Sequence, residues 1–187
     1  TTYRSDIEAR EEGGTPDILG AIRLGLVFKM KQVLGSAEVL KREEELAKLG
    51  LSTLRSNPRI ALIGDTGRKR LPIFSFLVRY GRRFLHHNFV CALLNDIFGI
   101  QARAGCQCAG PYHIKLLGVQ PREESKITQE LESHGVGIIK PGSCRFSLTF
   151  FMSDAEVQYI LDAVMFVADH GAHFLPLYEY DVETAEW

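Results

Sequence analysis

Pro58 marks the point at which this chain changes its pattern. Before it, apolar residues recur at helical spacing; after it, they come in short runs bounded by glycine, proline and asparagine. Short strands alternating with helices, after a helical lead-in, restrict the chain to a layered α+β fold. Helices should pack on one face of a small, mainly antiparallel sheet, preceded by long connecting helices. The division predicts an N-terminal segment with connecting helices over 1–57 and a small α+β domain over 58–187.

In the first part, Gly13-Gly14-Thr15-Pro16-Asp17 is a helix-start signal. Thr15 is expected as the N-cap, Pro16 at the first helical position, and Asp17 against the positive end of the dipole. Ile18, Ile22, Leu26, Val27 and Met30 then follow at helical spacing. Gly35 and Ser36 break this helix, and a second amphipathic stretch runs over 37–54, its Lys41-Arg42-Glu43-Glu44-Glu45 cluster read as a solvated face. Ser56, Asn57 and Pro58 end the helical part.

Beyond Pro58, strands are expected over 59–63 and 71–79, joined by a turn through Gly64-Asp65-Thr66-Gly67. In the second strand Phe74, Phe76 and Val78 share one face by the two-residue period. A helix over 88–98 places Phe89, Val90, Leu93, Leu94 and Ile97 on its apolar side, and Gly99 closes it. A short strand over 101–104, a helix over 123–134 ending at Gly135, an extended piece at 138–139 and a strand over 145–150 follow. Ser153-Asp154-Ala155-Glu156 is a capping box opening a last helix that runs to about His170.

Of the 187 residues, 45% are hydrophobic and 24% charged, enough to bury a core. A net charge of −1 gives no electrostatic case for nucleic acid or an anionic membrane as partner. The apolar runs read as too short to span a membrane, and Thr1-Thr2-Tyr3-Arg4 does not open a signal peptide. Cys91, Cys106, Cys108 and Cys144 are too few for a disulfide framework, so a reducing, cytoplasmic setting is expected.

The chemistry concentrates in R-A-G-C-Q-C-A-G-P at 103–111 and in C-R-F-S-L-T-F, which carries Arg145. Glycine and proline shape a loop that presents a thiol, and a planar guanidinium on a strand can hold a carboxylate through two parallel hydrogen bonds. Cys106-Gln107-Cys108 lacks the two-residue spacing of zinc knuckles; Cys144 or His113 could in principle complete a metal site, but none is expected. His86, His87, His113, His134, His170 and His173 show no ligand spacing as a group, and His170 suits a helix C-terminus.

These motifs, in this order, resemble class V pyridoxal-phosphate-dependent enzymes of aminotransferase fold, the group that contains cysteine desulfurases and selenocysteine lyases. The resemblance runs over nearly the whole chain, from G-G-T-P through the cysteine loop to the C-R-F-S-L strand and S-D-A-E-V. It implies Cys108 as the nucleophile that takes sulfur or selenium, and Arg145 as the holder of the substrate carboxylate. Arg103 either holds the loop or contacts substrate. Gly14 and Thr15 are implied at the cofactor phosphate of a partner subunit, in a homodimer acting on an amino acid and handing sulfur to an acceptor protein. The Schiff-base lysine motif of that family is not recognisable here, so a large domain carrying it is expected upstream of Thr1. Where such desulfurases often carry histidines before the cysteine, this chain has Cys106-Gln107. Transamination, epimerisation and β-elimination therefore stand beside sulfur transfer, as does a non-catalytic, sulfur-accepting module.

Overall fold

The computed structural model describes residues 2–64, 67–106 and 108–187. These form two compact units, one up to Lys41 and one from Arg42 onward.

In the first unit, Asp6 caps the short helix α1 (Ile7–Glu11) by accepting the Ala9 N–H at 2.8 Å. Helix α2 (Ile18–Leu34) starts later than the sequence suggests. Asp17, not Thr15, is its N-cap, because the Asp17 carboxylate accepts the Gly20 N–H at 2.8 Å. A carboxylate satisfies an orphan amide and favours the dipole at once, so it outcompetes the threonine hydroxyl two residues earlier. Gly35, at φ 80°, separates α2 from α3 (Ser36–Ser56), as expected.

The second unit begins within α3. Its sheet comprises β1 (Ile60–Leu62), β2 (Ile73–Tyr80), β4 (Arg103–Gly105) and β5 (Ser143–Ser147), with the two-residue β3 (Arg83–Phe84) paired to the end of β2. The spatial order is β1-β2-β5-β4, and every pairing is antiparallel. Helix α4 (His87–Phe98) links β3 to β4, and α5 (Gly110–Leu116) and α6 (Pro121–His134) link β4 to β5. Helix α7 (Asp154–His170) follows β5 and passes into a 3-10 stretch, Gly171–Leu177.

One face of the sheet carries the core. Phe74, Phe76 and Val78 of β2 are buried as their alternation requires, and Cys144 and Phe146 of β5 lie on the same side. Leu46 and Leu54 of α3, Phe89, Val90, Leu93 and Leu94 of α4, and Val157, Leu161, Val164 and Val167 of α7 pack with them. Ile97, by contrast, is exposed on α4. The Phe74 ring sits so close over Gly50 that any Cβ there would overlap it, so the glycine inside α3 is a contact requirement. The acidic and basic cluster on α3 is not wholly solvated: Arg42 pairs with Asp154 at 2.5 Å, and Glu44 pairs with Lys69.

Gly99, at φ 66°, and Gly135, at φ 65°, close α4 and α6 in left-handed conformation, and the Ser153–Glu156 capping box forms. Four local expectations give way. The 138–139 piece is a 3-10 turn, Gly137–Ile139, because the Lys140 N–H bonds back to the Gly137 carbonyl while Ile138 N–H reaches Val182. The last strand starts at Ser143 and stops at Ser147, since the Thr149 carbonyl accepts the Met152 N–H and turns the chain before Phe150. The loop read through Pro111 ends earlier, because α5 starts at Gly110 with Pro111 in its first turn. Finally, Asp154–Leu177 is long and apolar enough to cross a membrane by length and composition, although no apolar run was read as reaching that length. Its Val157, Leu161, Val164 and Val167 are buried in the core, the pattern of a core helix. The Asp65-Thr66 part of the expected turn lies outside the described residues.

Candidate active site

Strand β5 runs between β2 and β4, and the register places Arg145 opposite Ser75 on one side and opposite Arg103 on the other. Because side chains alternate, all three project from the face opposite Phe74, Cys144 and Phe146. Two guanidiniums are thus set side by side on one sheet face, an arrangement that like-charge repulsion disfavours unless an anion lies between them. Arg145 is half-buried, and among the described residues its guanidinium makes no hydrogen bond or ion pair. Arg103 is exposed and donates from Nη2 to the Cys108 Sγ at 3.0 Å.

Cys108 itself has φ 62°, a left-handed conformation that a non-glycine residue adopts only where its surroundings hold it. The loop that imposes it begins at Gly105, φ 96°, is closed by the Ala109 N–H bonding to the Cys106 carbonyl, and ends where α5 starts at Gly110. Cys106 and Cys108 are both exposed. Gln107 lies outside the described residues. Cys144 belongs elsewhere: its Sγ is 3.2 Å from that of Cys91 on the core side, and this thiol–thiol contact together with burial pushes the Cys144 thiol well up.

A cavity of about 620 Å³ opens over the arginine face. Arg145 and Ser75 form its floor, Ala109 with Tyr112 and His113 of α5 one wall, and Arg68, Lys69 and Arg70 another. Arg70 Nη2 is held by the Ile73 carbonyl at 2.5 Å. His113 is only 5% exposed, its Nε2 is buried with no hydrogen-bond partner among the described residues, and burial pushes its pKa down.

Beside it, burial first, and then the neighbouring His86 and His113, lower His87 to about 4. His86 stacks on His87 at 4.2 Å, and its own Nδ1 accepts from Asn88 N–H at 3.2 Å and Trp187 Nε1–H at 3.1 Å. That leaves the Nε2 proton to be donated to the Ile138 carbonyl at 3.1 Å. Gly142 closes the group: a Cβ there would meet the His87 ring at 2.6 Å and the Gly105 Cα at 2.7 Å.

The structure therefore brings Cys108, Arg103 and Arg145 together. Gly14 and Thr15 lie in the first unit, exposed, ahead of α2. Sequence reasoning missed Ser75 and Tyr112, and weighed His113 only as a metal ligand. The alternation that buries Phe74 and Phe76 already turns Ser75 to the opposite face, which was a usable signal; nothing local marks His113.

The family model for aminotransferase class-V matches residues 2–160. A cysteine desulfurase of Pectobacterium carotovorum is 27% identical over 161 residues, covering 86% of this chain and 32% of that protein. A probable cysteine desulfurase of Halalkalibacterium halodurans is 36% identical over 100 residues, covering 54% of this chain and 23% of that protein. The chain thus spans about a third or less of the length of these relatives. Among solved structures, the apo cysteine desulfurase of Thermococcus onnurineus superposes with a TM-score of 0.63 at 25% identity, over 86% of this chain and 33% of that one. The Escherichia coli cysteine desulfurase CsdA, in an S-sulfonic acid form, gives 0.60 at 21% identity over 84% of this chain and 32% of that one, a likeness of fold.

Proposed function

Because this chain belongs to the aminotransferase class-V family, we propose that it is the C-terminal part of a pyridoxal-phosphate-dependent enzyme that takes sulfur from cysteine, with Cys108 as nucleophile. The observation that carries the reading is the register of β4 and β5, which sets the Arg103 and Arg145 guanidiniums side by side with Arg103 on the Cys108 sulfur. Arg145 holds the substrate carboxylate, its planar fork matching two oxygens where a lysine would offer only a point charge. Arg103 bridges the two functions, fixing the sulfur and adding positive charge at the carboxylate.

The Cys108 thiolate attacks the sulfur of the substrate cysteine. A new S–S bond forms, the Cβ–S bond breaks with its electron pair remaining on carbon, and protonation there yields alanine and a Cys108 persulfide. Pyridoxal phosphate, when bound, supplies the electron sink for that carbon. The α2 N-terminus does not suit its phosphate as a helix-end site, since the Asp17 carboxylate already occupies it. The exposed Thr15 hydroxyl and the Gly14 amide would be the groups to hold a phosphate oxygen. Exposure of Cys108 leaves the persulfide open to an acceptor protein, and a cytoplasmic homodimer completes the proposal.

In the full-length protein, Cys108→Ser should abolish sulfide release from cysteine while leaving cofactor and substrate binding nearly intact, because a hydroxyl is a far poorer nucleophile than a thiolate. Alkylation and mass spectrometry should map the persulfide to Cys108, and Cys106→Ser should spare most activity. Full turnover by Cys108→Ser, or a tag on another residue, would favour transamination or epimerisation instead.

A further inference from the structure

We propose that His113 is a substrate-binding residue, its Nε2–H donating a hydrogen bond to the same carboxylate that Arg145 holds. The inference rests on the reading of Arg145 as a carboxylate holder and adds a second donor from a different element.

Three observations converge. His113 Nε2 is buried with no hydrogen-bond partner among the described residues, a cost that folded proteins seldom leave uncompensated. The residue lines the cavity whose floor is Arg145, and Arg145 likewise lacks a side-chain partner among the described residues. Among the described residues, the other charged groups lining that cavity, Arg68, Lys69 and Arg70, are cationic, Lys69 being paired with Glu44, and together with Arg145 they favour an anion as its ligand. An anion accepts and does not donate, which assigns the proton of the neutral imidazole to Nε2. The backbone supports the pairing, since α5 starts two residues after Cys108 and carries His113 on its wall-forming side. One carboxylate would then satisfy the unpartnered guanidinium and the unpartnered imidazole together, and α5 would be drawn to the sheet with the cysteine loop positioned between them.

The titratable groups around His113 are His87 on α4, Arg145 on β5, Tyr112 on its own helix, and Arg68, Lys69 and Arg70 before β2. Apart from the Tyr112 phenol, each either carries positive charge or is held neutral by burial. A bound carboxylate is then the one negative charge that His113 meets among the described residues lining this cavity, and it should raise the imidazole pKa from its lowered starting point.

The test uses full-length protein labelled with 15N-histidine, and propionate against its neutral analogue propionamide. The His113 imidazole signal, assigned by its loss in His113→Gln, should shift and titrate at higher pH with propionate but not with propionamide. His113→Leu should weaken propionate binding about tenfold, the value of one charged hydrogen bond, while His113→Gln, which keeps an amide donor near the Nε2 position, should recover most of it. Propionate that binds in an Arg145-dependent way without moving the His113 signal would overturn this inference alone. Propionate binding unaffected by Arg145→Lys, or no binding at all, would overturn the carboxylate reading beneath it.

Discussion

On β5, Cys144 and Phe146 point one way and Arg145 the other, and the two faces of the sheet are built on opposite terms. On the inner face each side chain is matched by a neighbour: the Phe146 ring lies 5.2 Å from that of Phe74 and 5.9 Å from that of Phe76, and α3, α4 and α7 cover all three. On the outer face polar and charged groups stand exposed to a cavity: Arg145 and the His113 Nε2 have no side-chain partner among the described residues, and Arg103 donates to the Cys108 sulfur. Two arginines stand in adjacent strands, and a cysteine is held at positive φ. The inner face is satisfied by folding. If the outer face is the binding face proposed above, stability and binding should separate between residues one position apart.

The largest effect expected from breaking this separation is on the inner face. Phe74→Ala removes a fully buried ring from between Gly50 and Phe146, and should cost about 3–5 kcal/mol in a denaturant-unfolding titration. Carboxylate affinity of the folded fraction should change little; a variant as stable as the parent would show that the core is not organised around this ring.

His87 joins the two faces, being buried beside Gly105 and Gly142 at the strand ends, and it sharpens the comparison through pH. Its folded pKa of about 4 lies below the ordinary histidine value near 6.5. The unfolded chain therefore binds the proton first. The contribution is whole above about pH 6.5, falls as pH drops toward 4, and levels off below that, a loss on the order of 3 kcal/mol. Urea midpoints measured between pH 7 and pH 4 should decline, and His87→Gln should flatten the decline; an unchanged slope would show that other groups carry it.

The smallest effect belongs to the outer face. Arg145→Lys keeps the charge but loses the two-pronged geometry, and should weaken amino-acid binding by about 1–3 kcal/mol. Thermal stability should stay within experimental scatter, because Arg145 has no side-chain partner to lose among the described residues. A drop in melting temperature with unaltered binding would reverse the assignment of the two faces.

Much of the inner face was legible beforehand. Alternation in 73–80 and helical spacing in 87–98 and 154–170 are local properties, and so are the capping box at Ser153 and the left-handed glycines at 99 and 135. Where two local signals compete, the local reading failed: Thr15 and Asp17 both suit an N-cap, and the carboxylate took the amide. The sequence singled out Arg145, Arg103 and Cys108 as candidates, but the cross-strand pairing of the two arginines was beyond it.

By itself, then, the sequence determined which residues have an apolar side and where most helices begin and end, and it marked Cys108, Arg103 and Arg145 as candidates. Only the tertiary structure decided that Arg103 and Arg145 are cross-strand neighbours, that Arg103 reaches the Cys108 sulfur, and that His113 is sealed against the same cavity. The reason is physical: periodicity and capping are set within a few residues by backbone geometry, whereas strand register is set by hydrogen bonds between distant segments and by the packing of one face against helices. Once Phe74, Phe76 and Phe146 were fixed inward, Ser75 and Arg145 had no other side to occupy.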